Sequence, residues 1–249
     1  MKKRITRPEF ILVNKTIFFP KKGILVIGDL HIGYESMLQK QGMSLPFSQI
    51  KTTKDQIQKI INQIKFKGYE VEKIILLGDI KHYFGFDKGE MKEIKEILNF
   101  LQQFVTKKNL ILIKGNHDKI LLKDRDYLDY YITEDKKLAF THGQRIFPEI
   151  YDKDIKTIVM GHLHPAINLK DPGGIKKEKY KVFLIGKHKS KQFVVVPSFF
   201  PLLEGTEINE DYKDLPGFSI VPNSPLKKFK VFVVGKENVY EFGKLKETD

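Results

Sequence analysis

Five short apolar runs in this chain each stop at a side chain able to bind a metal. Residues 24–27 lead through Gly28 into Asp29 and His31, and residues 74–77 lead through Gly78 into Asp79 and His82. Residues 110–113 lead into Asn116 and His117, 138–141 into His142, and 157–160 through Gly161 into His162 and His164. Of 7 histidines, only His188 falls outside these places. A fold that gathers the ends of such runs places His, Asp and Asn side chains in one pocket, and that set suits a divalent metal.

The spacing between the runs predicts how they are joined. Strands at 10–13 and 17–19 read as a hairpin leading into 24–27. Helical repeats follow at 48–66 (Ile50, Ile57, Ile60, Ile61, Ile64) and 89–105 (Met91, Ile94, Ile97, Leu98, Leu101, Phe104), around strands at 74–77 and 110–113. This is a βαβαβ order, with parallel strands and right-handed crossovers. After Asp118 the rhythm turns to β. Strands are expected at 128–132, 138–141, 157–160, 181–185, 193–196, 231–234 and 239–242, with only short helices between them. They imply a second, mixed or antiparallel sheet packed face to face with the first. The segment Asp171-Pro172-Gly173-Gly174 reads as a turn. No linker or repeat divides residues 1–249, and one domain is the expectation.

Composition narrows the chemistry. Cysteine is absent, which excludes disulfides, thiolate metal sites and a cysteine nucleophile. No apolar run approaches the roughly 18 residues of a membrane span, and the basic start (Lys2, Lys3, Arg4) is not followed by a signal-like stretch. A cytoplasmic protein is the expectation. The net charge of +13 invites an anionic partner. Only Arg4, Arg7, Arg125 and Arg145 are arginines, however, and arginine is the side chain suited to bidentate phosphate contacts. The charge therefore adds little weight to a nucleic-acid partner.

A lone Gly-Asp or Gly-Asn pair is ordinarily a turn. Here a glycine precedes Asp29, Asp79, Asn116 and His162, each time after an apolar strand. Glycine allows the sharp departure that turns the next side chain back across the strand ends. Asp29, His31, Asp79, Asn116, His142, His162 and His164 exceed what one tetrahedral zinc needs. They fit two divalent transition-metal ions of the Mn, Fe, Zn or Ni kind. Such a pair can hold a bridging hydroxide and clamp a phosphoryl oxygen for in-line attack.

The ordered motifs GDLH, GDIKH, GNHD, THG and GHLH, within residues 23 to 165, resemble the calcineurin-like metallophosphoesterase superfamily. The resemblance implies an α/β fold: a four-layer β-sandwich of two mixed sheets flanked by α-helices, with a dinuclear site at its edge. It implies that Asp29, His31 and His164 bind one metal and Asn116, His142 and His162 the other, with Asp79 bridging. His117 would stabilise the transition state or protonate the leaving oxygen, and Asp118 would orient that imidazole. GDIKHYFGF and the stretch from Val194 to Asn209 look like the Icc-like phosphoesterases, which include DNA-ligase-associated members. His82 is also similar to a histidine of the superfamily's repair nucleases, and the arginine-bearing GDxxDR form of the protein phosphatases is absent.

Other residues near these motifs carry two readings. His82 either contacts substrate or hydrogen-bonds behind the ligands. Tyr83, Phe84 and Phe86 could stack a nucleobase, but core or loop packing is the expectation. His188 reads as a solvated hairpin residue. His117–Asp118 follows a strand, which argues against a helix-borne HD phosphohydrolase. The expected activity is phosphodiester hydrolysis, on a phosphoester substrate that includes nucleotides and nucleic acids among its candidates. The alternatives are a nuclease for short or single-stranded DNA or RNA, and a non-catalytic scaffold. Specificity is expected in loops at 32–47, 83–88 and 167–180.

Overall fold

The computed structural model describes residues 8–43, 48–120, 122–170, 176–202, 204–209 and 219–248. The turn expected at Asp171–Gly174 lies outside them. The first half runs β1 (Ile11–Val13), β2 (Thr16–Phe19), β3 (Ile24–Ile27), α1 (Tyr34–Lys40), α2 (Gln49–Phe66), β4 (Lys73–Leu77), α3 (Lys88–Leu101), β5 (Leu110–Ile113) and β6 (Tyr127–Leu128). The second runs β7 (Tyr130–Ile132), β8 (Leu138–Thr141), β9 (Thr157–Met160), β10 (Pro165–Lys170), β11 (Lys177–His188), β12 (Lys191–Val195), β13 (Thr206–Glu207), α4 (Asn223–Leu226), β14 (Lys230–Val234) and β15 (Val239–Lys244).

The β-strands form two mixed sheets. The first has the order β1-β2-β3-β4-β5-β6, parallel from β3 onward. The second has the order β13-β10-β11-β12-β9-β8-β7, with β14 and β15 attached beside β11. Alternation along each strand divides the apolar side chains between two faces. Ile24, Val26, Ile75, Leu77 and Ile113 meet Phe140, Val159, Phe183 and Val194 between the sheets. Leu25, Ile27, Ile74, Leu76 and Leu112 face the helices instead.

Both long helices bury the stripe that their spacing predicts. Ser48 accepts the Lys51 N–H at the start of α2, and Asp87 accepts the Glu90 N–H at the start of α3. Ile57, Ile60, Ile61 and Ile64, with Ile94, Ile97, Leu98 and Leu101, cover the first sheet. Burying each such side chain contributes about 1.5–3 kcal/mol. The outer face of the second sheet has a thinner cover, drawn from a 3₁₀ turn (Pro148–Tyr151), α4 and residues such as Phe229 and Leu245.

Four sequence expectations change. Residues 32–47 read as a loop, but Tyr34–Lys40 within them form α1. Residues 128–132 read as one strand, but the chain leaves the first sheet after Leu128 and enters the second at Tyr130. Residues 167–180 read as a loop, but β10 and β11 pair across them from Ala166–Lys181 to Lys170–Lys177. Their charged side chains mask a strand pattern that backbone pairing supports. His188 does end a hairpin, but its ring is half-buried 5.8 Å from Phe193.

Candidate metal centre

All five strand ends deliver their polar residues to one edge of the sandwich. The segments after β3 and β4 stay together past the sheet: His31 N–H donates to the Asp79 carbonyl and His82 N–H to the Ile32 carbonyl, each at 2.9 Å. Asp29, His31, Asp79, His162 and His164 all have left-handed backbones, with φ of 47°, 45°, 45°, 69° and 45°. Non-glycine residues hold that conformation at a cost of about 1–3 kcal/mol and cluster at functional sites. The ligand-bearing residues therefore make most of the turns themselves, a role the sequence suggested for the glycines. Of the four preceding glycines only Gly78 has a positive φ, 92°. Gly115 and Gly161 instead make room: a Cβ there would stand 2.1 Å from Asp79 Oδ1 and 2.5 Å from Asp29 Oδ2.

Seven side chains form two clusters around Asp79. Asp29, His31, Asp79 and His164 bring ligand atoms together, as do Asp79, His142 and His162. Asp29 Oδ1 is 3.1 Å from His164 Nε2, whose distance to His31 Nε2 is 3.4 Å. His142 Nε2 lies 3.4 Å from Asp79 Oδ2, 3.2 Å from Asn116 Oδ1 and 3.1 Å from His162 Nδ1. His142 Nδ1–H donates to the Leu77 carbonyl at 2.9 Å, which leaves Nε2 as the nitrogen facing these atoms. Converging lone pairs of imidazole, carboxylate and amide repel one another unless a cation sits among them. The donor set fits a divalent metal of the Mn, Fe, Zn or Ni kind.

The electrostatics keep most of these rings ready to ligate. Burial lowers His31 to about 3 and His162 to about 4, helped by the neighbouring His164 and His142 respectively. Burial also acts downward on His142, but Asp79 and then Asp29 overcome it and hold the ring up at about 9. Burial acts upward on both carboxylates and is overridden, chiefly by His164 at Asp29 and by His142 at Asp79.

His117 stands beside these clusters. Its Nδ1–H donates to the His82 carbonyl at 2.6 Å, and its Nε2 is 3.9 Å from Asp79 Oδ2. The backbone N–H of His117 donates to Asp79 Oδ1 at 2.9 Å. Asp118 does not orient this ring, contrary to expectation. It turns inward, where its carboxylate accepts from the N–H groups of Ile80 (3.1 Å), Lys81 (3.2 Å) and Gly115 (2.9 Å). Burial raises Asp118 to about 6, with Asp79 adding to it against those amides. The His82 ring lies among Tyr34, His31 and His117, at 4.8, 5.6 and 5.8 Å. Tyr83, Phe84 and Phe86 are exposed (53%, 47% and 65%), not packed into the core.

Residues 23–203 match the family model described as calcineurin-like phosphoesterase. The chain belongs to the calcineurin-like phosphoesterase family. Pseudomonas putida nuclease MPE has a similar solved structure, with a TM-score of 0.57 at 18% identity, over 93% of this chain and 94% of that one. At that identity the likeness shows the fold. A conserved uncharacterized protein of Streptococcus pneumoniae TIGR4, described as a predicted phosphoesterase, is similar at TM-score 0.32 and 12% identity, over 89% of this chain and 97% of that one. No curated protein matches the sequence. Among the described residues, no helix is long and apolar enough to cross a membrane.

Two supports of this phosphoesterase site are not apparent in the sequence. Lys81 and Glu90, each 2% exposed, lie 3.2 Å apart under the loop at 82–86. Lys81 Nζ donates to the Tyr83 and Gly85 carbonyls, while Glu90 Oε1 accepts from the N–H groups of His82 (2.9 Å) and Tyr83 (2.7 Å). The loop that holds His117 is thus itself held by a buried ion pair. The second support is the segment from Pro197 to Phe200. Ser198 Oγ donates to the Asp29 carbonyl at 3.1 Å, and Phe199 N–H to the Gly28 carbonyl at 2.9 Å. Buried Lys15 and half-buried Lys181 hold that segment through the Phe199, Ser198 and Phe200 carbonyls.

Proposed function

We propose that this protein is a metal-dependent phosphodiesterase with two divalent ions, Mn²⁺ foremost, at the strand-end clusters. The observation that carries the reading is that Asp79 belongs to both clusters, with His117 beside it. Asp29, His31 and His164 would hold one ion and Asn116, His142 and His162 the other, sharing Asp79. Ions held there supply a nucleophile from water at neutral pH and neutralise phosphoryl oxygens.

The chain's own groups do the rest. Hydrolysis adds the hydroxyl of one water to phosphorus, and a proton must reach the departing ester oxygen. The His82 carbonyl fixes Nδ1 of His117, so Nε2 is the atom that carries that proton when the ring is charged. His117 gives it up as the P–O bond breaks. A diester suits the loop after β4, which bears His82 and three exposed aromatic rings where protein phosphatases carry an arginine.

The test is hydrolysis of bis-p-nitrophenyl phosphate with Mn²⁺, beside the monoester p-nitrophenyl phosphate. Wild type should turn over the diester faster. His117→Ala should lower turnover roughly 10²–10⁴-fold with metal retained, and Asp79→Asn should lose both. A wild type that binds Mn²⁺ but turns over no phosphoester would sink the reading. A wild type with no affinity for metal would favour the non-catalytic scaffold.

A further inference from the structure

The His82 carbonyl holds His117 at one atom, Nδ1, and a single hydrogen bond does not fix the plane of a ring. The last torsion of a histidine is broad, and a hydrogen bond tolerates tens of degrees of tilt. Nε2, across the ring from Nδ1, therefore needs a further restraint if it is to meet one particular oxygen. Phe84 supplies it. Its ring stacks on the imidazole, with centroids 4.0 Å apart and planes 26° apart. His31 meets the same imidazole edge-on, at 5.0 Å and 85°. Stacked and edge-on contacts are the two arrangements that aromatic rings favour.

The loop is tied down so as to present this ring. Lys81 Nζ donates to the Tyr83 carbonyl and, at 2.6 Å, to that of Gly85, the residues on either side of Phe84. Glu90 Oε1 takes the N–H groups of His82 and Tyr83. The backbone is thus held before and after Phe84, whose side chain is left at the crest. The other two rings of the loop go elsewhere. Tyr83 folds over Gly85, where a Cβ would stand 2.6 Å from Tyr83 Cε1. Tyr83 and Phe86 line a cavity of about 310 Å³ beside α1, with Met37 and Gln41. The turn after β5 reaches back to Phe84 as well. Lys119 N–H donates to the His117 carbonyl at 2.9 Å, and Lys119 Nζ lies 5.1 Å from the centre of the Phe84 ring.

We propose that Phe84 is a positioning residue, the flat stop that sets the plane of the His117 imidazole and so the direction of Nε2. The role rests on the reading of His117 as the proton donor. Both holds on the imidazole then come from one loop, a carbonyl at its edge and a phenyl ring on its face. Phe84 is 47% exposed, so replacing it tests the stack without opening the core.

The experiment follows kcat and KM for bis-p-nitrophenyl phosphate with Mn²⁺ in wild type, Phe84→Ala, Phe84→Tyr, His117→Ala and the Phe84→Ala/His117→Ala double variant. Phe84→Ala should lower kcat roughly tenfold, about the most that one aromatic pair contributes. KM should stay within about twofold and bound Mn²⁺ at the wild-type level. Phe84→Tyr keeps the flat face and should bring kcat back to within about twofold. In the His117→Ala background, Phe84→Ala should cost nothing further, because a residue that acts through the imidazole has no effect once the imidazole is gone. A loss of equal size in both backgrounds would overturn the proposal. So would a raised KM with kcat intact, which would make Phe84 a contact of the substrate. Solvent exchange of the His117 Nδ1–H needs no turnover and is read by NMR with Zn²⁺ in place of paramagnetic Mn²⁺. It should quicken in Phe84→Ala and not in Phe84→Tyr, and equal exchange in wild type and both variants would overturn the proposal. A wild type that binds metal but hydrolyses no diester counts against the esterase reading alone, and the exchange then decides the role of Phe84.

Discussion

The ring of His117 hangs from the backbone carbonyl of His82, Nδ1–H to oxygen at 2.6 Å. A carbonyl can only accept, so the proton is fixed on Nδ1 and the second nitrogen is left for chemistry. The orientation of one loop thus becomes the orientation of the proposed acid.

Removing that ring tests its role directly. His117→Ala should lower turnover of a diester roughly 10²–10⁴-fold, the usual contribution of a positioned acid. Metal content by elemental analysis should stay at the wild-type level. His31, His82 and His117 also form a compact group of possible ligands. Loss of metal along with turnover would therefore make His117 a ligand and refute its role as the acid.

The buried pair beneath the loop gives a second expectation. Lys81 and Glu90 are both 2% exposed, and removing one charge strands the other. Glu90→Gln should destabilise the fold by about 3–5 kcal/mol, and turnover should fall further than the unfolded fraction explains. Lys81→Met with Glu90→Gln should recover part of the stability, because no unpaired charge remains. Urea unfolding of the single and double variants reads this, and equal midpoints for wild type and Glu90→Gln would refute it.

A methyl group can test the packing of the ligands. In Gly115→Ala the new Cβ would meet Asp79 Oδ1 at 2.1 Å and Asp79 N at 2.3 Å. Asp79 cannot keep its place, and because it joins both clusters, affinity for both ions should fall together. Titration calorimetry with Mn²⁺ should show this as loss of both binding events, not one.

Stability should depend on pH through Lys181. Burial, reinforced by Lys15, pushes its ammonium from 10.5 down to about 6. Between those values the unfolded chain holds a proton that the folded chain lacks, so stability rises with pH across that window. Below about 6 both states are charged and the full penalty of burial is felt. Lys15, lowered by burial to about 8, adds a smaller rise above that value. Urea midpoints measured from about pH 6 to 10 should climb less steeply in Lys181→Met, by the equivalent of about one proton. Parallel slopes would count against the assignment.

The sequence carries much of this architecture because strand, turn and ligand are adjacent in it. Leu77, Gly78 and Asp79 announce a strand end and what it delivers, and the helical stripe from Ile57 to Ile64 says what covers the sheet. The supports are written less openly. Glu90 sits in a helix rich in charge, where nothing distinguishes a buried carboxylate from a solvated one until Lys81 is seen against it. Asp118 follows His117 directly, but its side chain turns to three backbone amides, a direction that adjacency does not encode. The break between Leu128 and Tyr130 is invisible because both sides favour strand, and only pairing shows that they join different sheets.

That break shapes how the halves depend on one another. Asp29, His31, Asp79 and Asn116 follow strands of the first sheet, while His142, His162 and His164 follow strands of the second. Each cluster draws donors from both sides of the seam, so an ion in either one fastens the two leaves of the sandwich like a rivet. Whatever affinity the site has for its cations is added to the resistance of the whole protein against coming apart.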